Sequence, residues 1–198
     1  LRLTNSFTNE ALELRDLLVE VFNETNEDNQ FMNFGFVLDV GEVMSSEYSA
    51  KDIVVRADLK NLDIATLQKF YMAGDYGFIG ENTEEFLPLF SASPEVNITE
   101  ISGITSHGQI SGHLLTKLSG ITSLPLDLGN PVFWLSKATI DAKLSLGEEL
   151  VIWLADEFPL IDPSMLLQFA TQQSDGAYEL RFELKDSEAI LNGLPLAM

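Results

Sequence analysis

Apolar and polar positions change period several times along this chain, and each change predicts an element. Phe7, Ala11, Leu14, Leu18 and Val21 recur at spacings of four and three. That period puts them on one side of a helix, with Thr8 or Asn9 as its cap and Glu10 in its first turn. The spacing therefore predicts a helix over 7–22 and a polar, acidic loop over 23–29. From Met32 the period drops to two. Met32, Phe34, Phe36, Leu38 and Val40 alternate with Asn33, Gly35, Val37 and Asp39, which predicts a strand. A long polar turn over 41–49 leads to a second strand, with Ile53, Val55, Ala57 and Leu59 on one face. Asp63 is placed to cap a helix carrying Ile64, Leu67, Phe70 and Tyr71. Gly74, Gly77 and Gly80 break that helix. A short one then starts at Asn82 or Thr83 and is limited by Pro88.

Val96, Ile98 and Ile101 form a strand whose alternation slips once, as at a bulge. Ser106-His107-Gly108 reads as a hairpin turn into a strand over 110–118. The stretch 119–136 is irregular. Ala138, Ile140, Ala142, Leu144 and Leu146 then make the cleanest strand in the chain. Ser145 and Glu148 have capping-box spacing for a helix running through Trp153 and Leu154. Asp162-Pro163 opens another helix, with Met165, Leu166 and Phe169 inward. A closing hairpin runs from Tyr178 through Leu184, turns at Lys185-Asp186 and returns over Ala189–Leu191. The strands carry polar residues on their second face, unlike the strands of a buried parallel sheet. The expected fold is α+β: a mainly antiparallel, curved sheet with short helices packed on one face. It occupies a single domain over 1–198. Two strand–helix units, about 31–92 and 95–198, share a layout, as a duplication would produce.

Composition narrows the function classes. The chain has 198 residues, 45% of them hydrophobic, enough for one substantial core. Acids outnumber bases 31 to 11, for a net charge of −20. Nucleic acid and anionic membrane surfaces both need clustered Lys and Arg, so neither is an expected partner. There is no Cys, hence no thiol nucleophile, disulfide or thiolate metal site. No apolar run reaches the roughly 18 residues of a membrane helix. The chain opens Leu1-Arg2-Leu3 without Met. It is expected to be a piece of a longer protein, with any membrane anchor in a removed upstream segment.

Four features, in order, resemble the bacterial envelope family typified by YdgA. They are Ala57-Asp58-Leu59-Lys60-Asn61-Leu62-Asp63-Ile64-Ala65-Thr66-Leu67, a strand end before a helix; Phe90-Ser91-Ala92-Ser93-Pro94-Glu95-Val96-Asn97-Ile98; the Thr105-Ser106-His107-Gly108-Gln109 turn; and the tail Ala189-Ile190-Leu191-Asn192-Gly193-Leu194-Pro195-Leu196. They span roughly residues 50 to 198, and the first fifty residues carry none of them. The resemblance implies the C-terminal portion of an envelope or periplasmic protein of unknown function. It implies no reaction and no catalytic residues.

Candidate chemistry is sparse. His107 and His113 flank one hairpin arm with no acid between residues 103 and 126, too few ligands for a metal. Glu84-Glu85 and Glu148-Glu149 sit at helix starts, where they complement the dipole. A hydrolase using paired carboxylates across a cleft ranks last among the readings. No catalytic residue, cofactor or metal is expected. The informative stretch is nearly uncharged. Between residues 101 and 136 the only charges are Lys117 and Asp127. Leu124, Leu126, Leu128, Phe133 and Trp134 crowd its second half and form the candidate partner or ligand surface. The expected function is a non-enzymatic bacterial cell-envelope domain of unknown biochemical role, a structural module or one that binds an envelope protein or self-associates. The alternative is a carrier of an apolar or lipid-like ligand in a sheet-and-helix cavity.

Overall fold

The computed structural model describes residues 2–4, 11–46, 48–73, 83–157 and 167–196. Its frame is one open sheet of eleven strands, and every pairing is antiparallel. The strands are β1 (Arg2–Thr4), β2 (Ala11–Thr25), β3 (Phe31–Met44), β4 (Ser49–Asp63), β5 (Glu95–Thr105), β6 (Gly108–Leu118), β7 (Ala138–Leu146), β8 (Thr171–Gln172), β9 (Tyr178–Lys185), β10 (Glu188–Leu191) and β11 (Leu194–Leu196). Their order in the sheet is their order in the chain, except that β8 pairs only with the start of β9.

Register explains why one face is apolar. Residues directly opposite in a ladder share a face. Val21 lies opposite Phe36, which lies opposite Ala57, and the row continues through Ile98, Leu114, Ala142, Phe182 and Leu191 to Leu194. A neighbouring row on the other face holds Asp58, Asn97, Leu115, Asp141 and Glu183. That polar face is laced by ion pairs of Lys117 with Glu95 (3.0 Å) and Lys143 with Glu179 (2.8 Å), and by an Arg56–Glu100 pair. Such exposed pairs are each worth about 0–1 kcal/mol, so burial on the apolar face carries the sheet. Asn97 is the buried exception. Its amide donates to Asp58 and its oxygen accepts from the Thr116 amide, so the group is satisfied.

The mainly antiparallel sheet matches the sequence reading, but its outline differs. The sheet is open and uncurled, not curved, with β1 and β11 left as separate edges. The helix expected over 7–22 is also corrected. Residues 11–25 are strand β2, paired with β3 from Glu13↔Met44 to Thr25↔Met32. Leu12, Leu17, Val19 and Phe22 fill the gaps in the helical pattern, and the long β3 ladder outweighs a local period of four and three. The expected loop over 23–29 shrinks accordingly. Asn26 closes the turn, its side-chain oxygen accepting from the amides of Gln30 and Phe31. The turn over 41–49 is shorter too, because β3 runs to Met44 and β4 begins at Ser49.

Several other signals hold, although the stretch expected to be irregular over 119–136 ends in a helix over Pro131–Lys137. The β5–β6 hairpin turns at Ser106-His107, with Gly108 at φ 128°, in the region that favours glycine. The slip in β5 is a register shift between Ile98 and Ile101. Helix α1 (Ile64–Ala73) follows Asp63, whose carboxylate accepts the Thr66 amide at 2.7 Å. Asp63→Ala is expected to cost about 1 kcal/mol, measured by urea unfolding, while Asp63→Asn restores most of it. A 3₁₀ turn over Thr83–Phe86 runs into α2 (Leu87–Ser91), then come α3 (Pro131–Lys137) and α4 (Glu148–Glu157). The Gly74–Gly80 break, Asn82, the Asp162-Pro163 helix start, Met165 and Leu166 lie outside the described residues.

Two clusters form the core on the apolar face. Ala138, Leu184 and Ala189 pack with Leu118, Ile140 and Phe182. Leu150 and Val151 of α4 pack on Leu146 with Ile110, Leu144 and Tyr178. Both lie over the C-terminal half of the sheet. At the other end Val19 and Val21 remain more than half exposed (53% and 59%).

Candidate functional site

The segment 119–130 has almost no regular structure, yet it is held in place. Ile121 is buried. The Asp127 carboxylate accepts the Gly129 amide at 2.9 Å, and Asn130 caps α3 by accepting from the Val132 amide, with Pro131 in the first turn. The Trp134 indole donates to the Leu128 carbonyl at 2.7 Å. That bond ties the segment to α3. Trp134 also packs on Phe90 of α2 and edge-on against Phe133, at 5.1 Å in each case.

These contacts frame a cavity of about 290 Å³ lined by α1, the 3₁₀ turn, α2 and the segment. Thr66, Leu67 and Phe70 come from α1, Phe86, Leu89 and Phe90 from the next two elements, and Leu124 and Leu128 from the segment. Phe70 and Phe86 meet edge-to-face at 6.2 Å. Among the described residues Thr66 is the only lining residue with a polar side chain, so the wall they form is almost wholly apolar. The acids nearest in sequence to the lining are Glu84 and Glu85, beside Phe86, and Asp127, beside Leu128. Lys69 of α1 pairs with Glu85 at 3.3 Å.

The five candidate residues read from the sequence therefore separate. Leu124 and Leu128 line the cavity, Phe133 and Trp134 pack next to it, and Leu126 projects fully into solvent. The α1 and α2 lining was not marked as a site by sequence reasoning. Its signal was three phenylalanines, Phe70, Phe86 and Phe90, on short neighbouring helices, a pattern that core packing also produces.

The two histidines do not meet. His107 stacks on Trp153 of α4 at 5.1 Å and 6° between planes, and Trp153 in turn meets Tyr48 edge-on. His113 lies 3.5 Å from Asp141 across the polar face. Among the described residues no three His, Asp or Glu side chains gather closely enough to hold a metal. A broader polar cleft of about 820 Å³ opens beside the β5–β6 turn, with Asp52, His107, Glu148, Glu149 and Asp175 in its lining. No helix is long and apolar enough to cross a membrane among the described residues.

No curated protein matches the chain. No solved structure matches it either. A family model matches residues 4–198, so the match takes in the first fifty residues, which carried none of the motifs read from the sequence. By that match, which covers nearly all of its length, the chain belongs to the family of bacterial proteins of unknown function DUF945.

Proposed function

We propose that this chain is a non-enzymatic, YdgA-like module of the bacterial cell envelope, the C-terminal portion of its protein, and that it holds an alkyl chain in the cavity between α1, α2 and segment 119–130. In this reading the short helices share one face of the sheet and close over the ligand. The observation that carries it is the lining: among the described residues, seven apolar side chains and one threonine around about 290 Å³. A site of that kind offers burial without any group to orient a polar substrate, so hydrophobic transfer is its only driving force. Its volume lies at the lower end of the roughly 300–1,000 Å³ of small-ligand sites, which suits one alkyl segment. The net charge of −20 disfavours a carboxylate headgroup.

Displacement of a fluorescent alkyl probe tests this. A neutral long-chain alcohol should compete, and a fatty acid of equal length should compete about tenfold less well. Leu124→Trp, placed to fill the cavity from the segment, should abolish probe binding while the unfolding free energy read by urea titration falls by no more than about 1–3 kcal/mol. Failure of the parent protein to bind any alkyl probe overturns the proposal.

A further inference from the structure

Two polar side chains are buried among the described residues, Thr66 and Asn97. Asn97 donates to Asp58 and accepts from the Thr116 amide, as a buried amide requires. Thr66 is buried more deeply, at 3% exposure, and is met differently. Its backbone amide donates to the Asp63 carboxylate, but its hydroxyl is in no hydrogen bond among the described residues. A helical threonine commonly donates to a carbonyl of the preceding turn. Thr66 stands in the first turn of α1, and the residues three and four before it, Asp63 and Leu62, belong to β4. The helix therefore has no preceding turn to offer its hydroxyl.

That hydroxyl is not sealed off in the packing either. No described side-chain oxygen is both fully enclosed and without a partner. Thr66 lines the alkyl cavity, so its oxygen reaches that space. The other lining residues described are apolar, with the phenylalanines Phe70, Phe86 and Phe90 among them. A hydroxyl in such a wall forgoes its bonds with water, and a ligand that supplies a partner recovers the loss. Counting donors gives the chemistry of that partner. Thr66 brings one O–H donor. A carboxylate would bury a charge against this single donor. An alcohol or an amide would bring a hydrogen of its own that one bond leaves over. An ester carbonyl only accepts, so a single bond satisfies the Thr66 donor and strands no hydrogen on the ligand.

We propose that the chain held between α1, α2 and segment 119–130 carries an acyl ester, whose carbonyl oxygen accepts a hydrogen bond from the Thr66 hydroxyl. This rests on the alkyl-site reading above and names the ligand class of that site. Burial of the chain remains the driving force, because the new bond replaces one that the ester made with water. A lone hydroxyl cannot hold a molecule with several polar groups to satisfy. It fixes where one oxygen sits, and so sets the register of the chain in the cavity.

The test uses the whole chain and displaces the fluorescent alkyl probe with methyl hexanoate or with nonane, which match in heavy-atom count. Both should displace it from the parent protein. Thr66→Val keeps the branched shape and removes the hydroxyl. It should weaken methyl hexanoate by about tenfold and leave nonane within about twofold. Thr66→Ser keeps the hydroxyl and should hold methyl hexanoate within about threefold of the parent. The urea midpoint of Thr66→Val should equal or exceed that of the parent, since no bond inside the protein is lost. Equal weakening of both ligands, no weakening of the ester, or a midpoint lowered by more than about 0.5 M overturns the proposal. So does a parent protein that binds nonane and rejects the ester. In each of these cases nonane still binds the parent, and the alkyl-site reading stands. If the parent binds neither nonane nor the probe, that reading fails and this proposal fails with it.

Discussion

Leu184→Ala is expected to destabilise the protein by about 3–5 kcal/mol, the largest effect of any single truncation in the sheet. Leu184 has no exposed surface. It lies opposite Ile140 on one side and Ala189 on the other, and it packs in the cluster with Ala138, Leu118 and Phe182. Two of its neighbours are alanines, whose side chains are too short to fill the space left behind. The loss of transfer free energy is therefore joined by a persistent cavity. For a chain of this size the midpoint of thermal unfolding should fall by roughly 2–4 °C for each kcal/mol lost. Leu194→Ala is the control. It removes the same atoms at a position 70% exposed and should change stability by less than about 0.5 kcal/mol. Comparable losses from the two variants would show that the core does not lie where the register places it.

Gly112→Ala should cost about 2–3 kcal/mol, at the upper end for an overpacked interior. Gly112 sits within β6, opposite Leu144 of β7. A Cβ there would fall 2.5 Å from the carbonyl oxygen of Lys143 and 3.4 Å from the Leu144 Cα. Both are backbone atoms of a central strand, so relief requires separating β6 from β7. Gly103→Ala gives the opposite result. It also lies mid-strand, in β5 opposite Ile110, but the nearest atom to its Cβ is 3.5 Å away, an ordinary contact. Reduced freedom of the unfolded chain should then leave that variant neutral or more stable by up to about 1 kcal/mol. Equilibrium urea unfolding of both variants decides the matter, and a Gly103→Ala loss as large as that of Gly112→Ala would contradict the described packing.

These two glycines illustrate what a sequence can carry. Both interrupt an alternating strand, and nothing in their flanking residues tells them apart, because the difference lies in how closely a neighbouring strand approaches. The same division runs through the rest of the molecule. Alternation in Ala138–Leu146 and in Tyr178–Lys185 was legible because side-chain period follows directly from local backbone geometry. Asp63 was legible as a cap, and Ser106-His107-Gly108 as a turn, for the same reason: each is a contact between residues close in the chain. The strand β2 was not. Its apolar residues satisfy a helical period and an alternating one together, and only pairing with β3, up to 31 residues away at Glu13↔Met44, decides between them.

The candidate site divides in the same way. The sequence by itself marked a nearly uncharged stretch and named Leu124, Leu126, Leu128, Phe133 and Trp134 within it. It also determined the mainly antiparallel sheet and the alternation that leaves one face apolar. Only the tertiary structure decided that Leu124 and Leu128 turn inward against Phe70, Phe86 and Phe90 while Leu126 turns out. It alone left the sheet open, with β1 and β11 at its two edges among the described residues. The reason is physical. Period, capping and charge are properties of neighbouring residues, whereas a cavity or a free edge is defined by which distant segments fail to cover a surface, and no local pattern records an absence of contact.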